Sequence, residues 1–230
     1  MKIRNDITKS MERGEVTLAL FTDYSKAFDT VDYKTILTKI CKLGFSKNAT
    51  RWMFSYLTNR IQYVQINDQR SSDRTVLFGV PQGSVLGPIL FNLYVTDLQD
   101  IVHGSVLQYA DDTTYYTHCK PNNIDDGIAL LSSKLNSLKN WSCDNNLAYN
   151  VAKSKITLFG TSQMLKKHDF SNFPHIECNG NHIERVKEWK MLGIYLDENL
   201  HWEFQLNEIL KGCYQFFENF AQPHIRKHLI

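Results

Sequence analysis

Apolar positions recur along this chain in two rhythms, and the switches between them mark out most of its elements. Ile3, Ile7 and Met11 recur every fourth residue, which predicts one face of a helix that Gly14 ends. Val16 to Asp23, VTLALFTD, is instead almost continuously apolar. That is the pattern of a central strand covered on both faces, and it delivers a carboxylate to the edge of the sheet. Asp32 is placed to cap a helix running through Leu43, with Gly44 as its stop. A second helix, Ser46 to Leu57, is expected to bury Trp52, Met53, Tyr56 and Leu57. Ile61 to Asn67 and Arg74 to Gly79 then read as strands around the polar turn Asp68 to Asp73.

The second half continues in the same way. Gly79 to Leu90, GVPQGSVLGPIL, holds three Gly and two Pro in twelve residues and leads into an apolar helix through Val102. Pro88 suits the first helical turn, where its missing N–H costs nothing. Leu107 to Tyr116, LQYADDTTYY, reads as a hairpin with Ala-Asp-Asp at its tip. Ile128, Leu131, Leu135, Leu138 and Trp141 line one face of a long helix from Ile124 to Leu147. Lys155 to Phe159 and Trp189 to Leu196 read as further strands, with the less regular Gly160 to Arg185 between them. A last helix, Phe204 to Phe220, carries Leu206, Ile209, Leu210, Tyr214, Phe217 and Phe220. The order of strands and helices is that of an α+β layer arrangement and not of a regular βαβ series.

Composition changes this picture little. The chain has 230 residues, 43% of them hydrophobic and 22% charged, enough for a sizeable core and against wholesale disorder. Its formal charge is only +2, a weak signal for a polyanionic partner, although a local basic patch can sit inside a neutral total. The five cysteines are scattered without a C-x-x-C pair, so neither a disulfide framework nor a zinc site is indicated. With no apolar signal core and no run approaching the ~18 residues of a membrane span, the expectation is a soluble intracellular protein, nuclear or cytoplasmic and not secreted.

Chemistry enters with the carboxylates. Alone, Asp111 and Asp112 are the polar tip of a solvated hairpin. If the strand ending at Asp23 neighbours that hairpin, three carboxylates meet on one sheet edge. Such a cluster suits two-metal phosphoryl transfer, in which cations about 3.5–4 Å apart bind the attacking and leaving oxygens. His224 and His228 are spaced four apart after Pro223 without an accompanying Glu pattern, and read as a solvated C-terminus. Asp125 and Asp126 fit the start of the long helix, where negative charge is favourable.

Five stretches occur in the order of a reverse transcriptase palm. FTDYSKAFDTVD resembles motif A, GVPQGSVLGPILF motif B, YADD motif C, NLAYNVAKSKITLFG motif D and WKMLGIYLD motif E. The wording of motifs A and B is similar to that of the non-LTR, LINE-type, jockey-like retrotransposon enzymes. YADD alone is only moderately specific, whereas the ordered set is strongly so. The resemblance runs from about Glu15 to the final helix. It implies a polymerase palm with an antiparallel sheet and packed helices over residues 16–200, a remnant of fingers or connecting helix over 1–15 and the start of a thumb over 201–230.

What the resemblance implies for single residues follows its motifs. Asp23 and Asp111 would ligate two magnesium ions, with manganese an alternative. Asp112 would complete the acidic cluster, and the Tyr24 backbone carbonyl would add a ligand. Phe28 matches the steric gate under the sugar, although its plain reading is a core aromatic. Gln82 matches the glutamine beside the incoming nucleotide, and Gly83 and Gly87 would let backbone approach a ligand or template closely. PQGS read plainly is a turn before a helix. Lys153 matches the motif D lysine that would stabilise leaving pyrophosphate, with Lys155 its near competitor. Leu192, Gly193 and Ile194 match the hairpin that supports the primer end. Tyr109 and Tyr115 belong either under the primer or within their own hairpin.

The implied partners are an RNA template, a DNA primer and deoxynucleoside triphosphates, with no membrane. The family's fingers motifs, most of its thumb and an endonuclease are not found in these residues. The expectation is therefore a palm-centred fragment with an intact acid set, its activity alone left open. The alternatives are a catalytically silent remnant acting at most as a nucleic-acid-binding or structural domain, and RNA-templated RNA synthesis, against which Phe28 speaks.

Overall fold

The computed structural model describes residues 2–101, 105–168, 170, 173–178 and 180–221. In chain order its helices are α1 (Lys2–Glu12), α2 (Tyr33–Lys42), α3 (Lys47–Leu57), α4 (Leu86–Tyr94), α5 (Leu98–Ile101), α6 (Ile124–Asp144), α7 (Ser162–Lys167) and α8 (Glu203–Ala221). The strands are β1 (Val16–Thr22), β2 (Tyr24–Ser25), β3 (Ile61–Gln62), β4 (Gln65–Ile66), β5 (Gln69–Arg70), β6 (Arg74–Thr75), β7 (Ser105–Tyr109) and β8 (Asp112–Cys119). They continue with β9 (Ala148–Tyr149), β10 (Lys155–Phe159), β11 (Glu177–Cys178), β12 (Asn181–His182), β13 (Glu184–Arg185), β14 (Glu188–Met191) and β15 (Ile194–Asp197).

The uninterrupted apolar run of β1 lies where such a run must, in the middle of the main sheet, whose order is β13-β10-β1-β8-β7. β10 and β8 flank it antiparallel, from Thr17 opposite Phe159 and from Val16 opposite Cys119. Only the edge strand β13 is parallel. Because side chains alternate along a strand, β1 feeds two cores. Val16, Leu18 and Leu20 join the larger one with α2, α4 and α6, where Ile36, Leu90, Phe91, Leu131 and Leu138 are buried. Ala19 and Phe21 face the smaller one, with Ile3 and Ile7 of α1 and Leu196 of β15. Trp189 stacks on Phe21 with ring centroids 5.0 Å apart.

Local signals hold where they are mechanistic. Asp32 caps α2, its Oδ2 accepting from the Thr35 N–H at 2.7 Å, and Ser46 caps α3 through Ala49. Gly14 and Gly44 follow α1 and α2 at positive φ, and Pro88 lies in the first turn of α4. Asp125 and Asp126 occupy the first turn of α6.

Three expectations are corrected. Trp52 is not buried with Leu57 but 56% exposed, stacked on Tyr56, because the inward face of α3 is narrower than its apolar content. The strands predicted around Asp68–Asp73 shrink to two short rungs, β3 on β6 and β4 on β5, whose tip is Asn67–Asp68. Leu77 and Phe78 lie outside both and are exposed. The helix after motif B breaks at Val95, and α5 is a separate turn ending at Ile101; Val102 lies outside the described residues, as do Pro223, His224 and His228. On α8 the apolar residues Leu206, Ile209, Leu210, Tyr214 and Phe217 are all exposed. Among the described residues no helix is long and apolar enough to cross a membrane.

His118 on β8 gives the fold a pH dependence. Its Nδ1 is hydrogen-bonded to Thr17 Oγ1 at 2.8 Å, and burial, then the neighbouring Arg13, lower its pKa against the opposing pull of Glu15 and Asp6. The folded chain thus prefers the neutral ring. The contribution is present above the ordinary imidazole range of about 6.5 and is lost as pH falls through the lowered value. Thermal melts from pH 8 to pH 5 are expected to show a steeper fall for the wild type than for His118→Gln; parallel curves would contradict this.

Candidate active site at the sheet edge

The carboxylates meet because of strand register. Thr22 is opposite Thr113 in the last pair of β1 and β8, so the next residues, Asp23 and Asp112, leave adjoining strand ends. On the other side Tyr109 pairs with Asp112, leaving Ala110 and Asp111 as a two-residue loop. Ala110 holds φ at +53°, a left-handed conformation that a residue with a Cβ adopts at some cost. The turn is thus one residue tighter than Ala-Asp-Asp, with Asp112 already in the strand.

The three carboxylates interact electrostatically. The Asp112 carboxyl is raised above the usual carboxylate range, first by burial and then by repulsion from Asp111 and Asp23, while Lys153 opposes the shift. Lys153 Nζ lies 3.2 Å from Asp23 Oδ2. Its competitor Lys155 turns away, pairing with Glu184 at 2.9 Å. The structure therefore separates two lysines that sequence spacing leaves equivalent.

Asp23 is also tied to the loop after β9. Its carbonyl accepts from the Asn150 N–H at 2.9 Å, and its Oδ2 accepts from Asn150 Nδ2 at 3.4 Å. Beneath them β2 and β9 pair Tyr24 with Tyr149. Burial lifts the Tyr24, Tyr115 and Tyr149 hydroxyls above the ordinary phenol range. The side chain of Tyr24 is thus floor, and any role of this residue at the site falls to its main chain. Tyr115 belongs to the same floor, whereas Tyr109 is exposed beside Asp112.

Motif B packs against motif A. The Phe28 ring stacks on Phe91 at 4.7 Å and is half-buried, so one face anchors in the core while part of the residue stays open. The backbone of Val80 donates to the Phe28 carbonyl at 2.8 Å. Gly79, at φ +81°, lies so close to Asp29 that a Cβ would meet its backbone at 2.8 Å, which excludes any side chain there. Gln82 is exposed and donates through Nε2 to Asp29 Oδ1 at 2.7 Å. Gly83 has open space around it and a positive φ, whereas a Cβ at Gly87 would strike the Pro81 carbonyl at 2.9 Å. Gly87 therefore serves close packing within its own turn, and Gly83 the exposed bend beside Gln82.

On the far side of the YADD turn, β14 and β15 form a hairpin whose turn residues Leu192 and Gly193 both have positive φ, as a tight two-residue connection demands. Leu192 and Met191 face Tyr109, Leu107 and Asp112 across a cleft of about 180 Å³. Two concavities of about 690 Å³ each run instead along α2. Asp112 is exposed and lines the smaller cleft, while Asp23 and Asp111 are part-buried.

Among the described residues no three His, Cys, Asp or Glu side chains are grouped so that they could together hold a metal ion. The donor chemistry still fits a hard divalent cation, since all donors are carboxylate oxygens with like charges in mutual repulsion. Sequence reading passed over Asn150 and Asp29 as partners of the site. Both stand inside the quoted motifs, but nothing in their spacing says that they reach Asp23 and Gln82.

A profile of the family described as reverse transcriptase (RNA-dependent DNA polymerase) matches residues 2–196. The chain is 28% identical over 216 residues to an RNA-directed DNA polymerase from the mobile element jockey of Drosophila melanogaster, covering 90% of this chain and 22% of that protein. It is 29% identical over 224 residues to the probable RNA-directed DNA polymerase from transposon BS of the same fly, covering 93% and 24%. The chain thus spans about a quarter or less of the length of these relatives. In fold it is similar to apo telomerase from Candida tropicalis truncated from its C-terminal domain, with a TM-score of 0.58, 16% identity, and coverage of 87% of this chain and 38% of that one.

Proposed function

Because the chain belongs to the reverse transcriptase (RNA-dependent DNA polymerase) family, we propose that it carries the palm of a non-LTR retroelement enzyme that copies RNA into DNA. The palm spans residues 16–200, and α8 begins a thumb. Its substrates are an RNA template, a DNA primer and deoxynucleoside triphosphates. The observation that carries this reading is the strand register that brings Asp23, Asp111 and Asp112 to one sheet edge, with Lys153 paired to Asp23.

In this reading Asp23 and Asp111 hold two magnesium ions, with Asp112 and the Tyr24 carbonyl beside them. Bound there, the ions lower the pKa of the primer hydroxyl and neutralise charge on the leaving pyrophosphate. Lys153, exposed and already at the Asp23 carboxylate, presents an ammonium to the same departing charge. Gln82, held by Asp29, flanks the nucleotide, and Leu192 and Gly193 support the primer end across the cleft from Tyr109. Phe28, braced on Phe91, places a flat ring where a 2′-hydroxyl would collide.

Primer extension on an RNA template, with deoxynucleotides and magnesium, tests the reading. The chain is expected to extend the primer, and an Asp111→Asn control is not. No extension above that control would overturn the enzyme reading and leave a silent domain. In the same assay Phe28→Val is expected to relax discrimination against ribonucleotides roughly 10-fold or more, the scale on which one steric contact separates substrates. Unchanged discrimination would return Phe28 to a purely structural role.

A further inference from the structure

We infer that Asn150 is a positioning residue that locks the loop bearing Lys153 onto Asp23, an inference that rests on the proposed polymerase site. The two ends of its side chain bond the Asp23 carboxylate and the main chain of Lys153. Nδ2 donates to Asp23 Oδ2 at 3.4 Å, while Oδ1 accepts from the Lys153 backbone N–H at 3.2 Å. The main chain repeats the pattern. The Asn150 N–H donates to the Asp23 carbonyl at 2.9 Å, and its carbonyl accepts from the Ser154 N–H at 3.2 Å and from Ser154 Oγ at 2.8 Å.

The orientation of this amide is dictated by its partners. Turned by half a rotation, its NH2 would face the Lys153 N–H, donor against donor, and its oxygen would face a carboxylate, acceptor against acceptor. Aspartate keeps the acceptor for Lys153 but loses the donor and sets a second negative charge against Asp23. Alanine loses both ends. Asp23 and Asn150 are distant in sequence, so the tie makes one rigid piece of two segments that carry the charges. Lys153 itself is 68% exposed, and its long side chain gains little direction from its own packing. The loop has to supply that direction.

Two measurements on the full chain test the inference, amide hydrogen exchange and single-nucleotide addition. In Asn150→Ala the Lys153 amide is expected to exchange at least about 10-fold faster, with the Leu158 amide of β10 unchanged. In Asn150→Asp the Lys153 amide should keep its protection. For nucleotide addition, Asn150→Ala should lower kcat roughly 10-fold with KM for the deoxynucleotide within about 2-fold. Added to Lys153→Ala, it should cause no further loss. Unchanged exchange at Lys153 in Asn150→Ala would overturn the inference, as would a full additional loss of kcat on the Lys153→Ala background. If the wild type extends no primer, the polymerase reading fails separately, and the exchange pattern of the two variants still decides whether Asn150 holds the loop.

Discussion

Asp23→Asn is expected to lower primer extension on the order of a thousandfold while leaving the fold intact. The substitution keeps the shape of the side chain and removes its charge. A carboxylate that helps to hold a catalytic cation contributes several kcal/mol of charge stabilisation in the transition state, and each 1.36 kcal/mol is a factor of about ten in rate. The fold has little to lose. The Asp23–Lys153 pair joins a 22% exposed side chain to a 68% exposed one, a class of contact that contributes about 0–1 kcal/mol. Losing a negative charge also relieves repulsion on Asp112, and the main-chain bond from Asn150 to the Asp23 carbonyl is untouched. Extension measured beside a thermal melt separates the two effects. A variant within tenfold of the wild type would remove Asp23 from the metal-binding set, and a large fall in melting temperature would show that its role is structural.

Phe91→Ala is expected to have the converse signature, a loss of stability of about 3–5 kcal/mol with the carboxylates untouched. Phe91 is fully buried on α4 and stacks on Phe28, so truncation opens a cavity and removes an aromatic pair worth about 0.5–1.5 kcal/mol beyond its buried area. Against a total of about 5–15 kcal/mol, this is a large fraction, visible as a drop of roughly 10 °C in melting temperature. Phe91→Leu, which keeps most of the volume, should lose far less. Folded Phe91→Ala, assayed at low temperature, should also discriminate less well against ribonucleotides, because the Phe28 ring has lost its brace. A melting temperature within a few degrees of the wild type would mean that the α4 contact with the core is not what holds motif B against motif A.

Much of the fold is legible in the chain because the signals involved are local. A continuous apolar run such as Val16 to Thr22 can only be covered on both faces, and it is the buried centre of the sheet. Asp32 and Ser46 satisfy helix N–H groups within three residues of themselves. The face of α6 formed by Ile128, Leu131, Leu135, Leu138 and Trp141 follows from helical period alone, and it is buried. The misreadings are of another kind. Trp52, expected to be buried with Leu57, is exposed, because period identifies an apolar face and says nothing about what covers it; the apolar row of α8 is exposed for the same reason.

The candidate site divides along the same line. Residue order along the chain was enough to identify the family and to single out the carboxylates and the glutamine loop proposed as its site, since motif order is a property of the one-dimensional sequence. The pairing of Lys153 with Asp23 and of Lys155 with Glu184, the separation of exposed Tyr109 from buried Tyr115, and the ties from Asn150 to Asp23 and from Asp29 to Gln82 came from folding. Each joins or parts groups through strand pairing and loop packing. A difference of an ångström or two then decides between a working contact and none, and no local propensity encodes such a distance. The YADD turn shows both halves: its carboxylates are written in the chain, while their approach to Asp23 is set by the register of β1 against β8.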